Sequence, residues 1–144
     1  MDQLGQQEHW ALYAASHILL PATGELLVGP TAMTQLPLPE PIHVITAHNP
    51  AGRRRPDEHN ERATRMLRAR LTDLAIDVLP ADGCSPDGVW VEAGFATAGL
   101  TREQARELAA DYAQDAIFEI TATEVLIIAT DTGAIVHRGS RRFE

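Results

Sequence analysis

The chain has 144 residues, enough for one domain with a sizeable core. Its 44% apolar and 22% charged residues are ordinary for a globular fold, and a net charge of −8 argues against nucleic acid or anionic membrane as a partner. All twelve basic residues are arginine, so no lysine chemistry is available, and the single cysteine, Cys84, cannot form an internal disulfide and fits a reducing, cytoplasmic compartment.

The first nine residues are polar. The apolar run Trp10–Leu20 is short, contains His17 and lacks the flanks of a secretory leader or a membrane span. Ala11–Leu20 reads equally as helix or strand. Pro21–Gly24 is a turn into the short apolar run Glu25–Val28, which suggests a hairpin. Four prolines (Pro30, Pro37, Pro39 and Pro41) make 29–41 an extended connector. Ile42–Ala47 alternates as a buried strand, with Ile42, Val44 and Thr46 on one face and His43, Ile45 and Ala47 on the other. Pro50 and Gly52 stop it. Pro56 is suited to the first position of a helix over Asp57–Leu74, whose first turn is acidic. Ala63, Met66, Leu67, Leu71 and Leu74 recur at helical spacing, and the stripe extends back to Asn60, a polar amide at the start of the buried face.

Ile76–Leu79 reads as a strand closed by the turn-rich ADGCSPDG, and Val89–Ala96 as the next strand, carrying Glu92. Thr101 to Gln104 is a capping box that opens a helix over Arg102–Ala113. Ala116–Ile120, Val125–Ala129 and Ala134–His137 are further strands, the last two joined at Asp131–Gly133, and the tail RGSRRFE looks loose. The order β-α-β-β-α-β from Ile42 predicts an α+β fold with a ferredoxin-like split βαβ core, an N-terminal hairpin and an extra C-terminal strand. In that core Ile42–Ala47 and Val89–Ala96 would be parallel neighbours.

Polar groups gather where the first core strand ends. Thr46, His48 and Asn49 emerge at the strand-to-helix loop, a place where free helix N–H groups favour ligands. Alternatively, Asn49 only caps the turn and His48 is solvated. Glu92 lies among apolar residues on the strand expected next door; buried, it needs partners, while on an open face it is a surface carboxylate. Residues 53–70 hold seven arginines against three acidic residues, a net of +4 that leaves −12 on the rest. Arg53, Arg54 and Arg55 precede a helix start, so Arg53 and Arg55 are candidates for holding an anion, or else part of a solvated loop. The six histidines show no metal-ligand spacing, no nucleotide-loop or nucleophile-elbow motif occurs, and no cofactor or metal is called for.

ITAHNP, HNERATRMLRARL, WVEAGFATAGL and YAQDAIF together resemble the bacterial domain-of-unknown-function family 3293 over about Val44 to Phe118, within a single domain of 1–144. Its pattern is a strand ending T-A-x-N-P, a helix opening E-N, a strand with W-x-E and a helix ending F-G-Q-x-A. Thr46, Ala47, Asn49, Pro50, Asn60, Trp90, Glu92 and Gln114 match. His59 stands in place of Glu, and Tyr112-Ala113 in place of Phe-Gly. The resemblance implies positions, not chemistry: Asn49, Asn60, Glu92 and Gln114 are expected to form one polar cluster. These residues, with Thr46, His48, Arg53 and Arg55, make a candidate site for a small polar or anionic ligand. Glu92 or His48 would be the acid/base group if the protein is an enzyme, a question the residues leave open. The rival readings are an interaction module, with a homodimer as one form of it, and, more weakly, RNA binding.

Overall fold

The computed structural model describes residues 3–49 and 53–144; the strand stop expected at Pro50 and Gly52 lies outside the described residues. The elements are α1 (Gln3–Ala15), β1 (His17–Leu20), β2 (Glu25–Val28), β3 (Ile42–Thr46), α2 (Asp57–Asp73), β4 (Asp77–Cys84), β5 (Val91–Ala98), α3 (Arg102–Asp111), β6 (Ala116–Ile120), β7 (Glu124–Ala129) and β8 (Ile135–Ser140). The ambiguous run at 11–20 is thus divided between a helix and a strand. All eight strands join one sheet in the order β2-β1-β4-β5-β3-β6-β7-β8, and every neighbouring pair is antiparallel.

This corrects the ferredoxin-like expectation. β3 and β5 are neighbours, but they run antiparallel, with Val44 opposite Ala96 and Thr46 opposite Gly94. The hairpin β1–β2 and the strands β7 and β8 are not appendages to a small core; they continue the same sheet. Element order constrains which strands can be neighbours, but hydrophobic runs of this length carry no mark of strand direction. α2 leads the chain from β3 past β5 to β4, and α3 leads it from β5 past β3 to β6. Glu92 and Gln114 are thereby delivered to opposite flanks of the end of β3.

The sheet buries both faces. Leu67 and Leu71 of α2 and Ala105, Leu108 and Ala109 of α3 pack on Ile45, Phe95, Ile117 and Ile128. The stripe on α2 is narrower than expected: Met66 and Leu74 are exposed, while Asn60, Leu67 and Leu71 are buried. Pro56 is the N-cap rather than the first helical residue. α3 opens with the capping box, the Thr101 hydroxyl accepting from the Gln104 N–H and the side-chain Oε1 of Gln104 accepting from the Thr101 N–H. On the other face Ile18, Leu27, Val28, Ile42, Val44, Ile120 and Val125 form a second core, flanked by Leu36 and Leu38 of the proline-rich connector and by Phe143.

The tail is not loose. The Arg141 guanidinium is buried and donates to the carbonyls of Ala122, Leu27 and Thr34. The Gly29 N–H donates to the Arg141 carbonyl (3.0 Å). The sheet curls far enough for the ends of its first and last strands, β2 and β8, to meet at this corner.

Candidate functional site

The four family-pattern residues converge at the end of β3. Asn49 has φ +49, a conformation asparagine tolerates better than most residues. Its N–H donates to Asn60 Oδ1 (2.9 Å), and Asn60 Nδ2 donates back to Asn49 Oδ1 (2.9 Å). Asn49 Oδ1 also accepts from the Arg55 N–H (2.9 Å), so two buried asparagines pin both ends of the loop. Asn49 Nδ2 then donates to Glu92 Oε1 (3.0 Å) on the neighbouring β5. From the other flank Gln114 Nε2 donates to the His48 carbonyl (2.9 Å) and the Tyr112 carbonyl (3.2 Å). Thr46 joins through its hydroxyl, which donates to the Ala93 carbonyl (2.7 Å) and accepts from the His48 N–H (3.0 Å).

Gln114 is aimed by the end of α3. Ala113 sits at φ +53 and the Gln114 N–H reaches back to the Ala109 carbonyl, a helix stop that normally takes glycine. Alanine therefore strains the position where the family pattern has Gly.

The electrostatics around this network are mixed. Burial pushes the half-buried His48 imidazole below its ordinary pKa, against the opposing pull of Glu92, Asp82 and Asp57. Burial pushes the Asp82 carboxyl up, with His48 pulling it down. The Tyr13 phenol of α1 is pushed well above its ordinary range by burial, then by Asp115 and Glu92. Tyr13 and Asp82 were not legible as site residues, because their sequence neighbourhoods carry no motif; only the sheet order and the packing of α1 bring them here. The arginines divide. Arg55 joins the network through its backbone, while Arg53 remains exposed. Neither forms an ion pair among the described residues.

A second polar cluster is buried between the sheet and α3. His43 is fully buried, and its Nε2 donates to Glu119 Oε1 (2.8 Å). Arg102 holds the same carboxylate at both oxygens, Nε to Oε1 (2.9 Å) and Nη2 to Oε2 (2.6 Å). Arg102 is the main cause, with His43 assisting, that keeps Glu119 at about 2, well below the usual carboxylate range. Burial lowers His43, so its ring is neutral, and Nδ1 has no hydrogen-bond partner among the described residues. The signal missed in the sequence was the pairing of two polar residues, His43 and Glu119, at matching positions of apolar strands, with registry placing them directly opposite. Among the described residues, no group of three or more His, Cys, Asp or Glu is arranged to hold a metal ion. No helix among them is long and apolar enough to cross a membrane.

A family model described as "Protein of unknown function (DUF3293)" matches residues 45–117, which span the loop, both asparagines, Glu92 and Gln114. No curated protein and no solved structure matches the chain.

Proposed function

The chain belongs to the DUF3293 family, and on that premise we propose that its polar cluster is a binding site for a small polar ligand with an anionic group. The supporting observation is the Asn49–Asn60 lock, which spends two buried amides to hold a loop and to aim one more donor at Glu92. Glu92 is only partly buried, and its other oxygen has no partner among the described residues. A carboxylate fixed by one bond and open on the other side can take a donor from a ligand. His48 is close enough to feel the charge of Glu92, and burial lowers its pKa, which favours an imidazole able to serve as acceptor or base. Arg53 and Arg55 supply positive charge at the start of α2 for the ligand's anionic end.

Phosphate or a nucleotide is then expected to raise the melting temperature at low salt, by mass action. Arg53→Ala with Arg55→Ala removes the shift, and added salt weakens it. Glu92→Gln keeps an acceptor for Asn49 but removes the charge; it leaves the unliganded melt unchanged and reduces the shift from a nucleotide, whose donors can reach it, while the shift from phosphate does not fall. A polyanion of unrelated shape that shifts the melt equally would reduce the arginines to a basic patch. With no shift from any probe at low salt, a second reading leads. The β4–β5 turn is locked by Ser85 and Asp87 and presents Val89, Trp90 and Val91 to solvent, at 84%, 43% and 50% exposure. A rigid apolar tip of this kind suits a non-catalytic interaction module.

A further inference from the structure

A cleft of about 630 Å3 lies on the other side of Gln114. Its walls include His9 and Trp10 of α1, Gln114 and Asp115 just before β6, and Thr130 and Asp131 after β7. Thr130 is only 8% exposed, and its hydroxyl is buried with no hydrogen-bond partner among the described residues. Buried hydroxyls are nearly always paired, so an orphan on a cleft wall marks a place where a partner belongs. Thr130 itself lines the cleft, and a threonine hydroxyl has three staggered positions in which to seek a partner.

The charge of the walls says what kind of partner. Gln114 spends its amide donors on the His48 and Tyr112 carbonyls, which leaves its oxygen as an acceptor. Asp131 uses one carboxylate oxygen to accept from the Thr132 N–H, leaving the other. Asp115 meets His9 Nε2 at 3.2 Å. The nearby Arg106 is engaged by Glu103 and by the carbonyls of Thr130 and Asp131. Acceptors and carboxylates thus outnumber free donors, and the Trp10 indole offers a face for a cation.

We propose that this cleft binds a small organic cation, an ammonium or guanidinium group on a short apolar body. The charged end takes Asp131 and the Thr130 and Gln114 oxygens as acceptors. The body lies against Trp10, Ala113 and Val136. The cleft shares Gln114 with the loop site, whose other residues do not line it.

The test is a titration of the two indole N–H signals by NMR, assigned with Trp90→Phe. The probes are butylamine, putrescine and agmatine, with butyrate and phosphate as anionic controls. At least one cation is expected to move the Trp10 signal in a saturable way at millimolar concentration or below, while the anions do not. Thr130→Val removes the orphan hydroxyl, so the fold should melt no lower and cation affinity should fall up to about tenfold. Asp131→Asn keeps the bond to Thr132 and should weaken the cations alone. No saturable shift with any of the three cations overturns the proposal, as do equal responses to the anions. So does a Thr130→Val protein that binds the cations like its parent, because the hydroxyl is then a packing defect.

Discussion

Asn60 is the residue on which the loop turns. It is 6% exposed, and its side chain satisfies both the N–H and the side-chain oxygen of Asn49. Asn60→Ala leaves the Asn49 N–H buried and unpaired and takes from Asn49 Oδ1 one of its two donors, the Arg55 N–H remaining, and should cost about 1–3 kcal/mol, read from thermal or urea melts. Asn60→Asp keeps the acceptor for the Asn49 N–H but sets a carboxylate against Asn49 Oδ1, so it should recover little. A melt unchanged by Asn60→Ala would mean that the loop is held by other contacts. Asn60 was legible because a helical stripe counted backwards from Leu67 must pass through it. Its partner was not legible from spacing; that took the family pattern.

At the scale of elements, β5 at Gly94 lies closer to its neighbours than a side chain would allow. A Cβ on Gly94 would come within 2.6 Å of the Ile45 carbonyl oxygen and 3.2 Å of the Ala81 carbonyl oxygen, one on each neighbouring strand. Gly94→Ala should therefore cost about 1–3 kcal/mol in a urea melt, by forcing the strands apart. Gly83→Ala is the control, since its Cβ would meet nothing nearer than 4.0 Å. Equal effects would show that the close approach at Gly94 is relaxed at no cost. The helices and most strands could be read from period and caps: the capping box at Thr101 and the alternation of β3 both appear in place. β4 could not be read to its end. It runs on through Ala81–Cys84 because the reversal comes later, at the Ser85–Trp90 turn, and Asp82 and Gly83 look like turn residues only in isolation. Strand direction and the continuity of eight strands were not legible either, since each depends on partners far away in sequence.

For the whole molecule, acid should act through the groups whose charge the fold has fixed. His43 and His48 have folded pKa values below the ordinary 6.5, so the unfolded chain takes up protons first and stability falls as pH drops below that value. Glu119, at about 2 in the fold against an ordinary 4.5, adds stability that is present above 4.5 and lost as pH falls toward 2. Asp82, raised by burial, acts with the opposite sign. Melting temperature should therefore fall between about pH 7 and pH 5 and again below about 4.5, and Glu119→Gln should flatten the second decline while lowering stability at neutral pH. A melt that stays level from pH 7 to 5 would mean that the fold does not hold His43 and His48 below their ordinary pKa.

The corner where Arg141 binds the Leu27 carbonyl joins residues 114 apart. Closing so long a loop carries an entropy cost that is met only once the intervening strands are in register. The joint therefore closes most readily when the strands between are already paired. While it holds, the chain from Leu27 to Arg141 is a non-covalent ring that ties the end of β2 to the end of β8, seven places away in the sheet order.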